Sequence, residues 1–186
     1  LSYLTWQDVE RILISKGMGN VVADIENRRL YEFVRTPFYL IALSEYYKER
    51  HELPENKGEL YDYFIEQRLK QEDNLKLKEN SEMSNTGKYL LQKMAVAIQL
   101  MGYNQISNDE LLNLFDNSYE DRNRVLRSGL IDTGEDGKYE FVHNSFKEYF
   151  VARYLLNLGS LEEIQRLCSY EGTKIVRTGW NNTVAL

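Results

Sequence analysis

Apolar residues recur at three- and four-residue spacing along most of this chain and alternate at two-residue spacing over one short stretch. Val9, Ile12 and Leu13 give a first short helix its face; Thr5-Trp-Gln-Asp8 opens it with a capping-box variant, and Gly17 and Gly19 close it. Val21, Val22, Ile25, Leu30, Phe33 and Val34 predict a second helix over 21–34. Thr36-Pro37 predicts the start of a third, because threonine can cap and proline at the first helical position loses no intrahelical hydrogen bond. Phe38, Leu40, Ile41, Leu43 and Tyr47 carry that helix toward Arg50. Pro54 breaks the chain, Asn56 recaps it, and Leu60, Tyr61, Phe64, Ile65 and Leu69 mark a fourth helix.

From Lys70 to Thr86 both charge signs mix with serine and asparagine, so this stretch is either a boundary between subdomains or a solvated helix end and loop. A strongly apolar helix follows from Tyr89 to Met101. Ser107-Asn-Asp-Glu110 and Ser118-Tyr-Glu-Asp121 cap two more. Then the period changes to two. Leu130–Asp132 and Lys138–His143 are β-prone runs around Thr133-Gly-Glu-Asp-Gly137, whose glycines suit a tight turn, and Tyr139, Phe141 and His143 share one face. Three helices followed by a hairpin is winged-helix order. Ser145-Phe-Lys-Glu148 reads as a capping box for a last long helix, apolar on most sides, with Gly159 placed to end it. Ser160-Leu-Glu-Glu163 starts another helix. The expected organisation is mainly α: a helical bundle over 1–80, a winged-helix subdomain with one β-hairpin over 81–172, and the start of a further helical region over 173–186.

Composition narrows the chemistry. The 186 residues carry a net charge of −6, which argues against a nucleic-acid or anionic-membrane surface as the main partner. No apolar run approaches the roughly 20 residues of a transmembrane helix. A lone cysteine, Cys168, excludes an internal disulfide, fits a reducing compartment such as the cytoplasm, and belongs to an apolar pattern with Leu161, Ile164 and Leu167 that predicts burial. With only His51 and His143 and no cysteine companion, no metal site is expected.

His143 is the residue with chemistry. It sits where a strand enters a helix, beside the backbone N–H groups and the positive end of the macrodipole, which is anion-binding geometry. A histidine there can equally pack against Phe141 and cap a backbone group. The run Phe141-Val-His-Asn-Ser-Phe-Lys-Glu-Tyr-Phe150 resembles the winged-helix subdomain of NACHT-type STAND NTPases, with its pattern phenylalanine, x, histidine, x, serine, phenylalanine, x, glutamate, tyrosine, phenylalanine. The resemblance implies that His143 contacts the phosphates of bound ADP and holds a closed resting state. The stretch from Thr36 to Leu69 is similar to the helical subdomain that follows the nucleotide-binding core in the same family, which places Pro37 against the adenine; Leu1 to Leu13 looks like the helix before it. Pro37 is also explained as a helix starter alone.

The residues that would cleave ATP are absent. A phosphate-cradling G-x-x-x-x-G-K-[ST] loop is not present: Gly87-Lys88 has Glu82 and Tyr89 at the flanking positions, and Gly137-Lys138 has Asp132 and Tyr139. By resemblance, ADP or ATP would be shared with a nucleotide-binding core of the same parent chain, Mg²⁺ would come only through that core, and activation would bring homo-oligomerisation in defence or stress signalling. The chain starts at Leu1 without methionine and ends in an apolar run, and is expected to be a piece of something longer. The competing function is a winged-helix transcriptional regulator that would offer Arg122, Arg124 and Arg127 to DNA phosphates. Against it, Glu120 and Asp121 occupy that helix start and Glu135 and Asp136 the wing.

Overall fold

A computed structural model describes residues 3–28, 30–75, 81–134 and 136–185. The chain is mainly helical with a small three-stranded antiparallel sheet, and it divides into two compact units, Leu1–Phe64 and Ile65–Leu186.

The first unit contains α1 (Trp6–Ser15), a 3₁₀ turn (Gly19–Val21), α2 (Val22–Asn27), α3 (Tyr31–Val34), α4 (Pro37–Arg50) and the start of α5 (Lys57–Leu75). The capping box of α1 forms as expected: Asp8 N–H donates to Thr5 Oγ1 and Thr5 N–H to Asp8 Oδ2, both at 3.2 Å. The single helix expected over 21–34 is instead broken into three pieces. At about 100° per residue, a straight helix would put Ile25 and Val34 on opposite faces. The break turns both inward, so that Ile25, Leu30 and Val34 are all buried. Leu30 N–H reaches back five residues to Ile25 O at 3.1 Å, and Arg28 Nη1 donates to Leu53 O at 2.9 Å and Pro54 O at 3.2 Å. α4 ends where His51 adopts the left-handed region, φ 59°, and Asn56 Oδ1 accepts from Glu59 N at 3.1 Å to begin α5.

The second unit runs α6 (Ser81–Met101), β1 (Gln105–Ile106), α7 (Asn108–Leu114), α8 (Tyr119–Arg127), β2 (Ile131–Thr133), β3 (Tyr139–Phe141), α9 (Asn144–Leu158), α10 (Leu161–Cys168), a 3₁₀ turn (Thr178–Trp180) and α11 (Asn181–Val184). The stretch from 70 to 86 is helical at both ends, in α5 and α6, while 76–80 lie outside the described residues, as do Glu135 of the wing and Leu186. The sheet order is β1-β3-β2, with Ile106 opposite Tyr139 and Ile131 opposite Phe141. Helix, strand, two helices and a hairpin whose second strand lies centrally is the winged-helix arrangement. β1 went unpredicted because two residues carry no periodicity. The turn between β2 and β3 closes through Gly134 N–H to Lys138 O at 2.8 Å, with Gly137 at φ 70°.

α9 packs along α6, and Leu91, Met94, Ala95, Ile98, Phe146 and Val151 are all buried in this unit. The serine caps at Ser107, Ser118 and Ser160 each accept the backbone N–H three residues on, as expected. Cys168 is buried, but Leu161 of the same pattern is exposed. Among the described residues no helix is long and apolar enough to cross a membrane.

Candidate functional site

β3 delivers the chain to α9 in a fixed direction, because Val142 N–H still donates to Leu130 O at 3.0 Å after the strand proper has ended. His143 is the next residue. Its backbone is extended, φ −148° and ψ 130°, which makes it the N-cap of α9. The capping box expected from Ser145 and Glu148 does not form. Ser145 is the second residue of the helix, and its own backbone N–H donates to His143 Nδ1 at 3.3 Å. Phe146 N–H is taken by His143 O at 3.0 Å. Glu148 Oε1 accepts instead from the side-chain amides of Asn144, at 2.8 Å, and Asn182, at 2.9 Å. The shift of two residues, from Ser145 to His143, follows from the imidazole, whose Nδ1 reaches the second helical N–H as a cap oxygen would.

This geometry corrects the expected cradle of backbone N–H groups around His143: the N–H groups of Ser145 and Phe146 are occupied by His143 itself. A backbone N–H can only donate, so Nδ1 is an acceptor, and Ser145 Oγ, 2.6 Å from it, is oriented to donate as well. The ring is then the tautomer with its hydrogen on Nε2. Any anion recognised by this residue would therefore be met by Nε2–H, at the positive end of α9, rather than by main-chain amides.

Pro37 occupies the first position of α4 and is half-buried. Thr36 before it supplies the extended backbone of an N-cap, φ −84° and ψ 122°, and its C=O accepts from Leu40 N at 3.1 Å, but its side chain makes no capping bond. The helix start rests on proline geometry rather than on the threonine hydroxyl. Pro37 belongs to the first unit and His143 to the second.

Two of the three arginines weighed for DNA are engaged within the second unit. Arg122 Nη2 donates to Tyr139 Oη at 3.0 Å, with its guanidinium carbon 5.9 Å from the centre of the Tyr139 ring, and Arg124 pairs with Glu120 at 3.1 Å. No cluster of three metal-ligating side chains occurs among the described residues.

Lys147 was not anticipated. It lies four residues after His143, is only 7% exposed, and donates from Nζ to Asn104 Oδ1 at 3.0 Å. Burial pulls its ammonium below the ordinary lysine range, with Glu148 opposing the shift. The one signal in the sequence was a single lysine inside the apolar run from Phe146 to Leu156.

Comparison with known proteins adds no relative: no family model matches the chain, and neither the curated proteins nor the solved structures contain a match.

Proposed function

We propose that this chain is the helical and winged-helix portion of the nucleotide-binding oligomerisation module of a STAND signalling NTPase, acting as a lid whose closure depends on bound ADP. The reading is supported by the sequence pattern from Phe141 to Phe150 together with the element order of the second unit. One observation carries it. The histidine in that pattern caps α9 through Nδ1, so the ring donor that a phosphate oxygen would meet is Nε2–H, at the positive end of the helix. ADP or ATP would be held jointly with a nucleotide-binding core of the same parent chain; Pro37 would lie against the base and Mg²⁺ would be bound by the core. Release of the lid would permit homo-oligomerisation in a cytoplasmic defence or stress response.

A hydrogen bond to a charged group contributes on the order of 1.5 to 3 kcal/mol, so removing it should weaken ADP by roughly 10- to 100-fold. If the contact exists only in the closed state, the closed-to-open balance shifts by the same factor. The test is the full parent protein with His143→Ala and His143→Asp. Aspartate can cap α9 but would repel a phosphate. Both variants should lose ADP affinity and oligomerise in part without a trigger, read by ADP titration and size-exclusion chromatography. Unchanged ADP affinity and an unchanged monomer in both variants would leave His143 as a helix cap and nothing more.

A further inference from the structure

The second unit buries a cation where three effects oppose it. Lys147 sits at the start of α9, where the macrodipole is positive, is nine-tenths buried, and has one neutral acceptor, Asn104 Oδ1. Among the described residues no carboxylate is paired with it. Its sequence neighbour Glu148 is tied to the amides of Asn144 and Asn182. A buried ammonium without a counter-charge costs stability unless something supplies the charge.

Lys147 lines a cleft of about 350 Å³ whose walls come from the end of α6, the turn after it, and the segment from Arg177 to Trp180. Gly102, at φ 73°, ends α6 and lets the chain turn so that Asn104 faces Lys147. Gln99 Nε2 donates to Gly179 O at 2.8 Å and holds the far wall. A second cation lines the same cleft. Arg177 gives its Nε to Ser169 O at 2.9 Å and forms no ion pair among the described residues, so its two terminal nitrogens carry donors for a planar acceptor. Tyr103 and the largely buried Trp180 line the same cleft and supply its aromatic surface. A cleft of this volume, lined by polar and apolar groups together, with two cations converging on it, has the make-up of a site for a small polar molecule.

We propose that this cleft binds a small organic anion, its oxyanion head on Lys147 and Arg177 and its planar apolar body against Tyr103 and Trp180. The head is a carboxylate or a phosphate monoester, since both present paired oxygens to an arginine fork and to an ammonium. The site is built wholly within the second unit and does not depend on the reading of His143.

Trp180 is also the reporter. The chain has two tryptophans, so Trp6→Phe leaves Trp180 as the sole indole. This variant would be titrated at low ionic strength with benzoate, phenyl phosphate, acetate and inorganic phosphate, against chloride as control. The expected result is a saturable change in Trp180 emission with benzoate or phenyl phosphate. It should be at least ten-fold weaker with the matching bare head group, and at least ten-fold weaker again after Lys147→Met or Arg177→Gln. Preference for phenyl phosphate over benzoate assigns a phosphate ligand, and the reverse a carboxylate. Circular dichroism checks that Lys147→Met folds; if it does not, Arg177→Gln, on an exposed residue, decides alone. No saturable change with any of the four probes, or equal affinities in the folded variants, overturns the proposal.

Discussion

Ser145 N–H donates to His143 Nδ1 at 3.3 Å, so one edge of the imidazole belongs to the helix and the other carries the hydrogen. The capping role of this residue and the recognition role proposed for it fall on separate atoms, and the two can be separated by substitution.

In the chain alone, His143→Ala removes the cap and should cost about 1 kcal/mol of unfolding free energy, within the range of N-cap losses. His143→Asp should recover most of it, because a carboxylate both accepts the N–H and favours the helix N-terminus. Urea denaturation of the three proteins measures this; an alanine variant as stable as the parent sequence would mean that the Nδ1 contact carries no weight.

Phe146 and Leu156 are both apolar residues of α9, yet Phe146 is 0% and Leu156 72% exposed. Phe146→Ala should therefore destabilise by roughly 3 to 5 kcal/mol, whereas Leu156→Ala should stay within about 0.5 kcal/mol. Equal losses in thermal unfolding would mean that α9 does not sit against the core through the face assigned to it.

That contrast marks how far the sequence could be read. Helix starts were legible wherever a serine, threonine or asparagine preceded an apolar period, as at Thr5, Asn56, Ser107, Ser118 and Ser160, because a cap is a local event. The cap of α9 falls two residues before the serine the pattern points to, because the rule looks for an oxygen and the structure uses an imidazole nitrogen. The break between α2 and α3 was hidden for a different reason. It is made by tertiary demands, with Arg28 drawn to the carbonyls of Leu53 and Pro54 some 25 residues away, and no local pattern records that. Lys147 was missed because spacing cannot tell a buried lysine from a solvated one.

DNA recognition through α8 is expected to fail. The arginines at 122 and 124 are committed to Tyr139 and Glu120, and the chain carries a net charge of −6. An acidic surface releases few counterions, so only weak association, lost as salt rises, should be seen. A sequence-specific, submicromolar complex at physiological salt in a binding assay would instead favour the regulator reading over the signalling one.

The first unit holds a pair whose stability contribution depends on pH in both directions. Tyr46 Oη donates to Glu59 Oε1, and Glu59 Oε2 also accepts from Glu55 N at 2.7 Å. Burial, then the bond to Glu59, pushes the Tyr46 phenol up to about 12; the bond from Tyr46 holds the Glu59 carboxyl below its ordinary range. Tyr63, which donates to Glu49 Oε2 at 2.8 Å, is likewise pushed up to about 12, chiefly by burial. For Glu59 the folded value lies below the unfolded one, so its contribution is present above the ordinary glutamate range, near 4.5, and is lost as pH falls through the folded value. For the two tyrosines the folded value lies above the unfolded one. Their contribution is complete below about 10, the unfolded value, and is lost as pH rises from there toward 12. Urea midpoints should therefore be flat across neutral pH and fall at both ends. Tyr46→Phe should remove one of the two alkaline ionisations and shrink the acid limb through Glu59, while the Tyr63 part of the alkaline limb persists. If the variant follows the same alkaline and acid limbs as the unsubstituted chain, Tyr46 and Glu59 are not coupled in the folded state and the pair contributes nothing that pH can remove.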